Sequence, residues 1–236
     1  MRLLQRINTT LTLIRVGIVA LIALMLVFAN QAAGQPMIVD DAEVTTHRSF
    51  QIESWYGTHE SWFQPGIAAT RWLEIGPGII FDSSDDFEAA NWLIEAKAVP
   101  GDLEEDGWAY GLVVAPVFNF DGNLEEFFTY IPISSMVLND SSVLHFNVGV
   151  EGFDDDGWEY EFTTGIRGDF GIFDRVVLLT EIFTANFETP AFQAGLRFEL
   201  VPELVEMDVT YGEGFERSES FPGFNIGIAI TPDSMW

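Results

Sequence analysis

The chain contains no cysteine, so a disulfide framework, a thiol nucleophile and thiolate metal ligands are all excluded. Histidine is nearly as scarce. His47, His59 and His145 are the three present, leaving imidazole and carboxylate as the available metal ligands. Basic residues are few as well: ten Lys and Arg stand against 37 Asp and Glu. Three of the ten (Arg2, Arg6 and Arg15) lie in the first 34 residues, which hold no acid. The remaining 7 basic residues against 37 acidic ones give the rest of the chain a formal charge of −30. A field of that sign repels phosphate backbones and excludes nucleic acid as a partner. The 21 glycines form no phosphate cradle, and no cofactor is expected.

Long apolar runs are missing too, since a membrane-spanning helix takes about 20 apolar residues. The one sustained run, 16–28, follows the three arginines and precedes Ala29, Ala32, Ala33 and Gly34. That order of basic, apolar and small residues is the layout of a secretory signal. It predicts a signal peptide over 1–34, cut after Ala29 or Gly34. A short acidic periplasmic tail over 35–46 and one folded domain over 47–236 would follow.

What the domain does have is a two-residue period. Trp158, Tyr160, Phe162, Thr164 and Ile166 share one face, and Glu159, Glu161, Thr163, Gly165 and Arg167 share the other. Successive side chains of a strand point to opposite sides, so this pattern makes a ribbon with one oily and one wet surface. Twelve such ribbons are read at 47–59, 62–71, 73–82, 91–100, 108–120, 125–137, 143–153, 158–170, 175–187, 191–201, 204–216 and 222–231. Strand 175–187 has apolar residues on both parities. The expected fold is all-β: a single antiparallel up-and-down transmembrane β-barrel of about twelve strands in a Gram-negative-type outer membrane.

The parity assigns faces. Leu144, Phe146, Val148 and Phe162 should meet lipid, together with Leu196, Phe198, Val209, Ile226 and Ile228. The wet face should line a narrow polar lumen with Glu74, Glu95, Lys97, His145, Glu151 and Glu159, and further on with Glu161, Arg167, Arg197, Glu199, Glu206 and Asp208. Buried charges need partners, so the basic three should sit in a carboxylate network. Links 71–73, 139–142, 171–174 and 201–204 read as tight turns, and 101–107 is too long for one. Aromatics near strand ends suit the two membrane boundaries. Trp236 is in phase with Phe224, Ile226, Ile228 and Ile230, as in the C-terminal signal read by barrel-assembly machinery. Outer-membrane lipid and lipopolysaccharide are the other expected partners.

Ser49–Gly57 (SFQIESWYG), Gly66–Ile75 (GIAATRWLEI) and Trp92–Val99 (WLIEAKAV) resemble the opening of outer-membrane barrels described as "transporter" or as related to phenol meta-degradation pathway proteins. In those, a first strand, a hairpin and a third strand of similar pattern recur in order. The resemblance covers about the first third of the mature chain. It implies a barrel that passes small, often hydrophobic molecules.

The expected function is therefore a passive channel or transporter. A closed structural or surface-interaction barrel is the alternative, and a soluble secreted ligand-binding barrel is a third, since alternation alone does not say which face turns inward. A lipid-modifying enzyme would need a Ser/His pair facing lipid. Parity puts His145 inside, and His47 and His59 merely flank the first strand. No catalytic or metal-binding residue is assigned, and the acidic runs 85–86, 104–106 and 154–156 lack the spacing of a dedicated Ca²⁺ loop.

Overall fold

The computed structural model describes residues 37–84, 87–138, 141–215 and 222–232. The predicted signal peptide and Trp236 lie outside them. Twelve strands follow in order. β1 is Phe50–Gly57, β2 Glu60–Ala68, β3 Leu73–Asp82 and β4 Glu88–Ala98. A one-turn helix, α1 (Leu103–Asp106), precedes β5, which runs as Trp108–Tyr110 and Leu112–Asn119. Then come β6 (Leu124–Val137), β7 (Ser142–Asp154), β8 (Trp158–Phe173), β9 (Val176–Ala185), β10 (Ala191–Val201), β11 (Val205–Gly214) and β12 (Gly223–Ile230).

Each strand pairs antiparallel with the next, and β12 returns to β1 through Ser54↔Ile228, so the sheet closes on itself. The two pieces of β5 both pair with β6, at Tyr110↔Ile133 and Val113↔Tyr130. Between them Gly111 leaves the ladder but keeps its N–H on the Pro132 carbonyl at 2.9 Å. Closure matters because it leaves no sheet edge unpaired, and a spanning sheet has no water to satisfy an open edge.

Side-chain exposure fixes which face turns out. Ile75, Ile94, Ile133, Phe146, Ile166, Ile182 and Ile228 are large, apolar and exposed, while Glu74, Lys97, Ser134, His145, Arg167 and Glu181 on the opposite parity are buried. The molecule is inside-out relative to a water-soluble barrel, and the soluble alternative fails on that ground. Leu144 and Phe162 share the exposed outward set, while Val148, Leu196, Phe198, Val209 and Ile226 face the same way with partial cover from neighbours.

Three details depart from the expected pattern. The long link before β5 is not a turn but holds α1. Asp102 caps the helix by accepting from the N–H groups of Glu104 and Glu105, and buried Leu103 packs with Ala42, Val99 and Ala109. The mixed parity of β9 arises because its inward face carries Leu179, fully buried, beside Glu181. The interior is also not polar throughout: Ile80, Leu93, Ala115 and Val117 form a buried cluster with Trp62 and Phe128 against it.

Candidate functional site in the barrel lumen

Residues 37–45, expected as part of a short tail outside the barrel, run inside it. The wall grips them mainly by their backbone. The N–H groups of Ile38 and Val39 both donate to the Glu181 carboxylate at 3.0 Å. The Arg167 guanidinium donates to the Val39 carbonyl at 2.6 Å. The Asn147 amide, turned so that its oxygen meets the Asp40 N–H, pairs with both backbone groups of Asp40 at 2.7 and 2.9 Å. The Ala42 N–H donates to Ser134 Oγ at 2.7 Å, and the Thr45 N–H to Glu74 at 2.7 Å. Each main-chain donor so named would cost about 1–3 kcal/mol if buried without a partner.

Two side chains of the segment are held as firmly. Lys97 Nζ lies 3.0 Å from Asp40 and 2.9 Å from Asp41. The Tyr130 hydroxyl donates to Asp40 at 2.9 Å. Burial alone would raise the Asp41 carboxyl, but the Lys97 and Arg167 charges beside it hold it well below the ordinary carboxylate range. Val39 and Ala42 are completely covered. Gly165 makes the room for Val39: a Cβ there would stand 2.5 Å from Val39 Cγ2.

These wall groups come from β3, β4, β6, β7, β8 and β9, and the register explains how they meet. Ser134↔His145, His145↔Arg167 and Arg167↔Glu181 are direct cross-strand neighbours, so four inward side chains form one continuous row across four strands. Glu74↔Lys97 makes a second such pair. Of the predicted lumen residues, Glu74, Lys97, His145 and Arg167 thus come together on the segment. Glu95 lies on the same face of β4 as Lys97, half-buried. Arg197 forms a separate cluster with Asp208, bidentate at 2.8 Å, and Glu206 at 3.3 Å. Glu151 and Glu161 face each other across β7 and β8, Glu159 is exposed at the start of β8, and Glu199 accepts from the Glu203 N–H in the following turn.

Asp40, Asp41, Tyr130, Ser134, Asp169 and Glu181 complete the site without having been predicted. Glu181 was masked by its apolar neighbours in β9. The segment itself carried a signal in Val39 and Ala42, apolar residues set among acids and both fully covered in the structure.

Ser134, His145 and Asp169 suggest a nucleophile, base and acid, and the geometry argues against that use. Ser134 Oγ meets His145 Nδ1 at 2.8 Å, but His145 Nε2 stands 3.6 Å from Asp169, too far for a hydrogen bond. Arg167 already binds both Asp169 oxygens at 2.8 and 2.9 Å, and Ser134 Oγ is covered by the Ala42 N–H. The row reads as a relay that holds the segment.

The family described as "Uncharacterised conserved protein UCP029691" matches residues 20–231. No curated protein matches the chain. Among solved structures, the KdgM porin in complex with disordered oligogalacturonate is similar at a TM-score of 0.59 and 8% identity, over 78% of this chain and 99% of that one. The NanC porin is similar at 0.52 and 9%, over 77% and 98%. An outer-membrane channel from Pseudomonas putida F1 is similar at 0.52 and 10%, over 83% and 97%. At these identities the likeness is one of fold, that of outer-membrane porin-type barrels.

Proposed function

The chain belongs to the family described as "Uncharacterised conserved protein UCP029691", and we propose that it is a passive outer-membrane channel for small polar solutes, closed at rest by residues 37–45. The observation that carries this reading is a barrel turned oily side out around a charged interior, crossed by a segment that belongs to no strand. The predicted leader 1–34 would take the chain through the inner membrane. Its assembly would begin from the strand that ends near Trp236, and lipid and lipopolysaccharide would surround it afterwards. A wall carrying Glu74, Lys97, Arg167, Glu181 and Arg197 is a poor path for hydrophobic cargo, because apolar groups gain nothing by displacing hydration from charges. The cargo is therefore read as polar, against the hydrophobic solutes that the family resemblance implied.

Planar bilayers test it. The full chain should show little steady current, and a variant lacking 37–45 should show a stable one. A second reading, a closed structural barrel, draws on the apolar cluster around Leu93 and Val117 inside the wall. It predicts no current from either protein at any voltage, and that result would replace the channel reading.

A further inference from the structure

We infer that the wall around residues 37–45 is a binding site for short, extended acidic peptides, which the segment fills as a tethered occupant and from which a free peptide would displace it. This rests on the channel reading. The argument begins with what the wall recognises. Glu181 takes two successive N–H groups, Asn147 reads both backbone groups of one residue, Arg167 takes a carbonyl, and Ser134 and Glu74 each take a further N–H. Such contacts are made to the main chain and are open to any peptide that lies extended.

Selectivity comes from Lys97 and Tyr130, which hold adjacent acidic side chains at 2.9–3.1 Å. Among the described residues, both ion pairs of Lys97 are to the segment. If the segment leaves, a buried ammonium and the Glu181 carboxylate lose their partners together, and a ligand of matching charge and backbone restores them. A sugar acid or a simple organic acid brings carboxylates without the paired N–H and C=O that Asn147 reads.

Beside Met37 a buried wall group is left over. The Asn225 amide, 2% exposed, has neither its donor nor its acceptor paired. It lines a cavity of about 10 Å³ with Met37, Trp55 and Thr210. A space of that size holds about one water molecule, so this amide adds nothing to the recognition of the peptide.

The barrel does not need the segment to close, because every strand is paired with its neighbours. The test therefore uses the variant lacking 37–45 in planar bilayers, with the synthetic nonapeptide Met-Ile-Val-Asp-Asp-Ala-Glu-Val-Thr as probe. Its Asn-Asn analogue and tricarballylate, an acid without peptide groups, serve as comparisons. Should the deletion fail to assemble, full-length Asp40→Asn/Asp41→Asn loosens the segment at constant length.

The nonapeptide should block the current reversibly, and the Asn-Asn analogue at least about tenfold more weakly, since charge-assisted hydrogen bonds carry the difference. Lys97→Met on the same background should abolish that difference. Equal block by both peptides, no block while current flows, or equal block by tricarballylate would each overturn the peptide site. Absence of current from every variant would instead remove the channel reading beneath it.

Discussion

Lys97→Met isolates the anchor of the internal segment. Methionine keeps the length and apolar stem of lysine, so the packing of β4 changes little, while the ammonium that bridges Asp40 and Asp41 disappears. Hydrogen bonds to charged groups are worth about 1.5–3 kcal/mol each in a shielded setting. Both aspartates keep part of their surface exposed, with side-chain exposures of 28% and 32%, so water recovers some of the loss. A net weakening of about 2–3 kcal/mol is reasonable for the two contacts together after screening. At about 1.4 kcal/mol per decade, the released fraction of the segment then rises by about 30- to 150-fold.

The absence of cysteine supplies the assay. Val39→Cys puts the sole thiol of the protein at a position that is 1% exposed in the seated segment. Its rate of reaction with a bulky, water-soluble maleimide in vesicle-inserted protein reports release. Labelling should be slow with Lys97 present and at least about tenfold faster when Lys97→Met is added. Equal rates would refute the assignment of Lys97 as the anchor, and rapid labelling in both would refute the seated segment altogether.

Two further substitutions address other parts of the argument. Gly165→Ala places a methyl 2.5 Å from Val39 Cγ2; with Val39 kept and the thiol moved to Thr45→Cys, also buried in the segment, labelling should be faster, while heat-modifiable migration of the barrel on gels stays as in the parent. An unchanged rate would mean that Gly165 does not make room for the segment. Phe146→Arg, on the outward face and 42% exposed, should cost about 2–4 kcal/mol of folding free energy in lipid vesicles if it lies near the bilayer midplane. A neutral effect would mean that this face does not meet hydrocarbon.

The fold was legible because it depends on a local pattern repeated many times. The period of two in β7 and β8 sorts Leu144 and Phe146 from His145 and Asn147 without knowledge of any other strand, and the same rule holds around the ring. It faltered in β9, where Leu179 and Glu181 share the inward face, because an interior that is part charge and part core gives no single polarity to read. The link at 101–107 looked too long for a turn, and the extra residues proved to be a capped helical turn that inserts Leu103 beside Ala42. The lumen was only half legible. Parity alone identified Glu74, Lys97, His145 and Arg167 as inward. What they bind could not be read, since the contact from Ile38 to Glu181 joins residues 143 positions apart in sequence. No periodicity links a strand to a segment that crosses the space between strands.

That separation has a consequence for how the molecule is built. The seam between β1 and β12 joins the two ends of the sheet, whereas the segment just ahead of β1 is clasped by strands from β3 to β9. Ile38 meets Glu181 only when the strands that separate them in the sequence are paired in the right register, so the clasp depends on the wall as a whole. A slip of one residue in β3, β4, β6, β7, β8 or β9 would turn a gripping side chain outward, so this short stretch acts as a gauge of correct pairing.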